Sequence, residues 1–564
     1  MENKILEKKT VEYLPDTFAK TSKNLIGGVV SLYLVAVMIL LPLIYDNFYF
    51  NILETKYRCF LICTITFFLV MAGLALILFF ADQKEYQGIH RKLLFSKHSL
   101  RVPDAALLIF WLAAVVSTIQ SEYRYEAFWG NEGRYSGLFL ISLYVIVYIL
   151  VSRFWRWKEW VFQVFLVAGL LVSLIGITDY FQMDLLHFRT NIRPEQAVLF
   201  TSTIGNINTY TAYVALELGA AAALFMTEEK TGKSIWYYVC MTVFFYAMVM
   251  GSSDNAYLAL GVLFALLPLF AFRTKQGILR YLMMFSTFLT VIWTISWLNQ
   301  HCEGQVVGLE SMFQILAGFR GLPVLAGSLW MVTVGYYICA CRNGNKQKSQ
   351  KKAENERTVE TAQTDWFAHF FPKIWAGILS VAVIALLLVL WDANRNGDSA
   401  RYGALSSYLV FDDSWGTNRG YIWRKSMELY REFPWLHKLF GYGPDTFGIL
   451  TTTKIYDDMV MATGQIFDSA HNEYLQFLLT VGPIALAAYL VFLAGNFLQM
   501  AKTQSGGSAY RKQEKYIFAC LFAGICYAAQ AFVNLNLPIV TPVMWIWLST
   551  GAAVVKSWYK ERHE

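Results

Sequence analysis

Residues 417–482 read TNRGYIWRKSMELYREFPWLHKLFGYGPDTFGILTTTKIYDDMVMATGQIFDSAHNEYLQFLLTVG. The stretch lies in the longest polar interval between two apolar spans, roughly Asp392 to Glu473. Its contrast with what surrounds it decides the fold. On both sides the chain repeats apolar runs of about 17 to 25 residues, the length a helix needs to cross a bilayer. A membrane β-barrel would show short alternating segments instead. With 56% hydrophobic and 15% charged residues in 564, the composition excludes a soluble globular protein. The pattern predicts an all-α, polytopic transmembrane bundle of about 12–14 spans with one large, partly helical extracytoplasmic loop.

The most detailed reading gives fourteen spans. They run near 25–45, 59–81, 103–119, 136–152, 159–178, 209–226, a tight pair around Gly251–Asn255, 281–299, 321–341, 373–391, 474–498, 516–533 and 542–556. Four regions follow: a cytoplasmic tail, 1–24; an N-terminal bundle, 25–391, carrying a basic cytoplasmic loop, 342–372; the extracytoplasmic loop, 392–473; and the last spans with a short tail, 474–564.

The formal charge of +7 does not point to nucleic acid, because Lys and Arg collect in alternate loops. The segment Gln83–Arg101 and the run Lys346–Lys352 read as cytoplasmic, the latter as a solvated loop. Both termini are expected inside, with no cleavable signal peptide. Eight scattered cysteines imply no disulfide framework, and Cys339-Ala340-Cys341 lacks the partners of a zinc site.

Within the polar interval, Arg419 to Phe433 has the composition of a helix whose face carries Trp423, Met427 and Tyr430. Pro434 ends it. Gly441-Tyr442-Gly443-Pro444 reads as a turn. Asp468 or Ser469 is placed to cap span twelve, which puts His471 in that span's first turn.

The ordered set Arg419, Trp423, Pro434, Gly441-Tyr442-Gly443, Phe447, His471-Asn472-Glu473-Tyr474-Leu475 and Gly482 resembles the O-antigen ligase / O-antigen polymerase superfamily. Its members are polytopic glycosyltransferases that use glycans carried on polyprenyl diphosphate. Gly130–Gly137 (GNEGRYSG) and Gly205-Asn206-Ile207-Asn208 extend the likeness more weakly. The resemblance implies transfer of a glycan to an acceptor hydroxyl at the outer face of a bacterial cytoplasmic membrane. The acceptor would be a lipid, a glycan, a wall polymer or a protein. It implies no cofactor beyond the lipid-linked substrate.

Such a reaction needs a base for the acceptor hydroxyl and a cation for the departing diphosphate. Histidine fits the first task, since its ordinary pKa lies near operating pH. A helix N-terminus would disfavour the protonated ring. Taken alone, His471 reads first as a capping residue at the lipid interface; the resemblance implies the catalytic base. Guanidinium holds phosphate oxygens through two parallel bonds, so the resemblance implies donor binding by Arg419. Arg134 and, more weakly, Arg320 are further candidates, with interfacial snorkelling as the alternative. Asn472, Glu473, Trp423, Asn206, Asn208, Gly441 and Gly443 are implied supporting residues. Trp129, Trp415, Trp423 and Tyr442 suit stacking on sugars, although interfacial belts use the same residues. Asp468, His471 and Glu473 do not converge at their spacing, so no metal site is expected.

One departure stands out. Where many members carry an arginine in a Ser-Arg-Gly-like motif, this chain has Ser253-Asp254-Asn255, which cannot hold phosphate. Glu217, in span six, is expected to pair with an arginine. Two rival readings remain: polymerisation of repeat units by the same chemistry, and transport of lipid-linked sugars. A transporter would place polar residues at the midplane, usually within internal repeats. No repeat is visible.

Overall fold

The computed structural model describes residues 2–81, 101–189, 192–351, 359–396, 399–504 and 512–563. Helices α1 (Glu2–Leu43) and α2 (Ile52–Ala81) open the chain, and α3 (Val102–Gln120), α4 (Arg124–Trp129) and α5 (Leu138–Phe154) follow. α6 (Glu159–Tyr180) leads through α7 (Pro194–Ala197) and the antiparallel pair β1 (Phe200–Thr201) and β2 (Gly205–Asn206) to α8 (Ile207–Thr227). Next come α9 (Thr231–Met250), α10 (Asn255–Leu266), α11 (Pro268–Ala271), α12 (Lys275–His301) and α13 (Ser311–Ala317). α14 (Leu322–Lys351) and α15 (Val359–Asn396) precede the polar interval. That interval folds as α16 (Ser406–Leu409), α17 (Trp415–Glu432), α18 (Trp435–Phe440), α19 (Phe447–Lys454) and α20 (Tyr456–Thr463). The chain closes with α21 (Glu473–Thr480), α22 (Gly482–Lys502), α23 (Lys512–Gln530) and α24 (Thr541–His563).

Among the described residues, eleven helices are long and apolar enough to cross a membrane. α5 and the α10–α11 pair are shorter apolar helices at expected spans four and eight, and α24 occupies span fourteen. The protein is a polytopic all-α membrane protein. Helices run further into the basic interval than its charge suggests: α14 continues to Lys351 and α15 starts at Val359. Lys, Gln, Glu and Arg are good helix formers, so charge alone does not break a helix. Of the basic segment Gln83–Arg101 only Arg101 is among the described residues, and Lys352, at the end of the lysine-rich run, lies outside them.

The core sits where small residues let helices approach. The apolar window of α8 is wholly buried, and a Cβ at Gly219 would lie 2.5 Å from the Phe522 carbonyl oxygen of α23. None of the apolar window of α15 is buried. Buried cations close helix ends: Lys56 Nζ donates to the carbonyls of Leu41 (2.7 Å), Pro42 and Ile44 (3.0 Å each), and Arg280 donates to Phe225 (2.8 Å). Glu217 does not have its expected arginine: among the described residues no ion pair reaches it. It occupies space left by Gly169, where a Cβ would meet its Cγ at 2.8 Å.

The polar interval has its own small core, including Ile422, Leu429, Phe433, Tyr442, Phe447, Phe467 and Leu479. The face α17 buries includes Ile422, Ser426 and Leu429, continued by Phe433 just past its end. The expected face is offset by one position, and Met427 is exposed.

Span twelve also differs from its expectation. It is broken at Val481 into α21 and α22. Two glycines cross at the break. Gly441 (φ 72°) would place a Cβ 2.3 Å from the Thr480 carbonyl carbon, and Gly482 (φ 83°) 2.3 Å from the Leu439 oxygen. The amides of Tyr442 and Gly443 donate to the carbonyls of Leu479 (3.0 Å) and Thr480 (2.8 Å). Those carbonyls, left over by the end of α21, thereby gain partners from the loop.

Candidate functional site

Three segments meet beside α21. The first is the tight loop Gly130–Gly137. Asp445, buried in the turn after Gly443, accepts the amide N–H groups of Asn131 (2.8 Å) and Ser136 (3.0 Å) through one carboxyl oxygen. The Asn131 side chain bonds the Asp445 carbonyl in return. This clamp presents Arg134, whose Nε donates to Asp468 at 2.9 Å. Its Nη2 completes a two-pronged pair with Asp468 and reaches Ser469 Oγ at 3.3 Å.

The second segment, Asp468–Asn472, carries the histidine. His471 does not lie in the first turn of a helix. Asn472 is the N-cap of α21, its side chain accepting from the amides of Tyr474 and Leu475, both at 3.0 Å. Asp468 and Ser469 are therefore not caps, because a side-chain acceptor nearer the helix satisfies its orphan donors. His471 precedes the cap with φ 48°, a left-handed conformation uncommon for a side chain with a Cβ. It is held from both sides: Trp423 Nε1 donates to the Ala470 carbonyl (2.8 Å), and Asn472 is locked as cap. The Phe467 ring meets the imidazole edge-on at 5.9 Å.

The third segment is the start of α17. Gly416, Thr417 and Asn418 have φ of 60°, 60° and 67°, and Arg419 begins the right-handed helix directly after them. Such backbone costs on the order of 1–3 kcal/mol for each residue carrying a Cβ and persists only where the surroundings enforce it. Arg419 lines a cavity of about 890 Å³ together with Asp254, Tyr257, Tyr408, Trp415 and Phe532.

The electrostatics follow from this packing. Burial, and then the charges of Arg419 and Arg134, push the His471 pKa down to about 3, against the opposing pull of Asp468. The ring is neutral across the physiological range. Burial also draws the Arg419 guanidinium below its ordinary value, partly offset by Asp254. Burial alone would raise Asp468, but the pairing with Arg134 outweighs it and holds the carboxyl low. Asp445 is pushed up to about 7 by burial, opposed by the two N–H donors. The burial and guanidinium charges that keep the imidazole unprotonated also oppose its protonation, so it takes up a proton only as negative charge develops nearby, which the same positive field stabilises.

His471, Arg419, Arg134, Trp423 and Asn472 are thus brought together. Glu473 has partners of its own, accepting from Tyr489 (2.7 Å) and Tyr527 (3.0 Å). Asp468 and Glu473 therefore have separate partners and do not converge with His471. Gly441 and Gly443 lie at the crossing with the α21–α22 break. Asn206 caps α8, and Asn208 accepts from Ser253 Oγ (2.7 Å), tying the 253–255 turn to that helix. Arg320 is exposed in the turn ahead of α14 and does not line the Arg419 cavity. Asp254 does line it, donated to by Tyr408 at 3.2 Å. Asp445 escaped the sequence reading, since an aspartate after Gly-Pro looks like any turn residue.

A search among curated proteins finds no match to this chain. Residues 361–490 match the family model described as O-antigen ligase. That interval runs from α15 through the loop bearing Arg419 and His471 into α22, and over it the chain is similar to the O-antigen ligase family.

Proposed function

We propose that this chain is a metal-independent glycosyltransferase at the outer face of a bacterial cytoplasmic membrane. It moves a glycan from polyprenyl diphosphate to an acceptor hydroxyl. The hydroxyl oxygen attacks the anomeric carbon, His471 takes the proton, and the bond from that carbon to the diphosphate oxygen breaks. The electron pair leaves with the polyprenyl diphosphate, whose charge Arg419 stabilises, and attack from the opposite face inverts the anomeric centre. Arg134 is engaged with Asp468, so its part is to position that segment and add positive potential.

The observation that carries this reading is an imidazole kept neutral by its surroundings and by the charges of Arg419 and Arg134, in the region matched to the O-antigen ligase model, where Arg419 lines a cavity of about 890 Å³. The test uses purified protein and a defined polyprenyl-diphosphate glycan. His471→Ala abolishes transfer while donor binding persists, because a base acts only in the transition state. Arg419→Ala weakens donor binding as well, by roughly ten- to a hundredfold for a lost charge-assisted bond. Near-normal transfer by folded His471→Ala protein removes the base assignment.

A further inference from the structure

We propose that the end of the bundle opposite the Arg419–His471 loop binds a phosphate group, carried by an anionic phospholipid, between Arg101, Arg153 and Lys556. The proposal is independent of the transfer reaction above. The expected orientation places this end at the inner leaflet.

The helices that carry the site cross from the loop side. α3 is tied to the loop at its far end, where the Gln120 side chain donates to the Gly441 carbonyl (2.8 Å), and α5 starts directly after Gly137. Arg101 stands just before α3, Arg153 lies in the last turn of α5, and Lys556 lies near the end of α24. α22 runs close beside α3: a Cβ at Gly495 would lie 3.0 Å from the Pro103 ring, and Arg101 Nη1 donates to Gln499 Oε1 at 3.3 Å. Lys556 Nζ is 3.5 Å from the Arg153 carbonyl oxygen.

The three charges are not balanced by the protein around them. Arg101 and Arg153 are near enough to repel the Lys556 ammonium, and Asp104 opposes them. Asp104 also accepts the Arg101 backbone amide at 3.3 Å. Among the described residues, no carboxylate forms an ion pair with Arg101, Arg153 or Lys556. Elsewhere at this end cations are paired: Lys233 and Lys512 share Glu159, and Lys515 meets Glu228 at 3.2 Å. Like charges gathered in a partly buried place favour a bound anion. Each guanidinium offers a planar fork to phosphate oxygens, and basic pockets between helices suit phospholipid headgroups. Val102 and Leu498 expose apolar side chains beside Arg101 and Gln499, where acyl chains would lie. A rim of snorkelling cations would hold its charges apart in water, whereas Lys556 is half-buried and sits against the Arg153 carbonyl.

The test titrates full-length protein in neutral detergent with phosphatidylglycerol and, separately, with phosphatidylcholine. Bound lipid is read by native mass spectrometry, alongside the unfolding temperature. Phosphatidylglycerol should stay bound and raise that temperature; phosphatidylcholine should do neither. Arg153→Gln changes an exposed side chain and should weaken phosphatidylglycerol binding about fivefold. Arg101→Gln combined with Lys556→Gln should abolish the preference between the two lipids. Arg342→Gln, an exposed cation at the same end on α14, should leave it unchanged. Equal retention of both lipids by the unaltered protein, or the same loss in Arg342→Gln as in Arg153→Gln, overturns the site. Inorganic phosphate forms the last arm: if it alone raises the unfolding temperature and displaces the lipid, the ligand is a free anion and the phospholipid assignment falls.

Discussion

At the scale of single residues, the proposed transfer depends on His471 being held neutral. Its folded pKa of about 3 lies below the ordinary 6.5, so an unfolded chain binds a proton there that the folded chain refuses. Stability from this group is therefore present above 6.5 and is lost as pH falls toward 3. Under the proposed role the same shift sets the pH dependence of turnover. The acid limb of kcat/KM, which reports the free enzyme, should lie well below the usual histidine range, leaving activity nearly flat from neutrality down to about pH 5.5. A limb centred near 6.5 would show that the titrating base is not buried between Arg419 and Arg134. His471 and Arg419 were legible in the sequence as candidates because their chemistry resides in residue type and their order resembled a family's. Asp445 was not, because its work is to accept two backbone N–H groups from a loop some three hundred positions earlier.

At the scale of elements, that contact gives a second expectation. Asp445→Asn keeps an oxygen able to accept both amides and retains most activity. Asp445→Ala leaves two amides without their acceptor, at roughly 1–3 kcal/mol each where buried. It should lower the unfolding temperature and reduce transfer through displacement of Arg134. Equal behaviour of the two variants in thermal unfolding and transfer assays would count against the clamp. Helix positions were legible because apolar runs and the proline after Phe433 announce them. The break at Val481 was not, since Gly482-Pro483 in an apolar run reads as part of one span. What breaks it is a tertiary crossing. The offset of the buried face of α17 has a similar origin: aromatic residues mark a face by pattern, but packing against α21 and the loop core chose Ile422 and Leu429.

At the scale of the molecule, the expected orientation puts the catalytic loop outside and the lysine-rich interval inside. Cysteines placed at Ser414 or Thr452 should react with an impermeant maleimide in intact cells, and one at Ser349 only after lysis. Labelling of Ser349 from outside would invert the arrangement. Charge in the reaction is assigned to arginine, so EDTA should leave transfer unchanged; strict dependence on an added divalent ion would move the mechanism to metal assistance. The fold class was legible because bilayer thickness sets helix length, whereas the loop's attachment to the bundle depends on a crossing no local pattern encodes. That crossing carries a consequence for sequence variation. Gly441 and Gly482 each sit where a methyl group would overlap the other strand's main chain. A saturation scan selecting for function should therefore find that both positions admit glycine alone. Their tolerance should be recovered by neither mutation singly nor both together, since each added carbon meets backbone rather than the other's side chain.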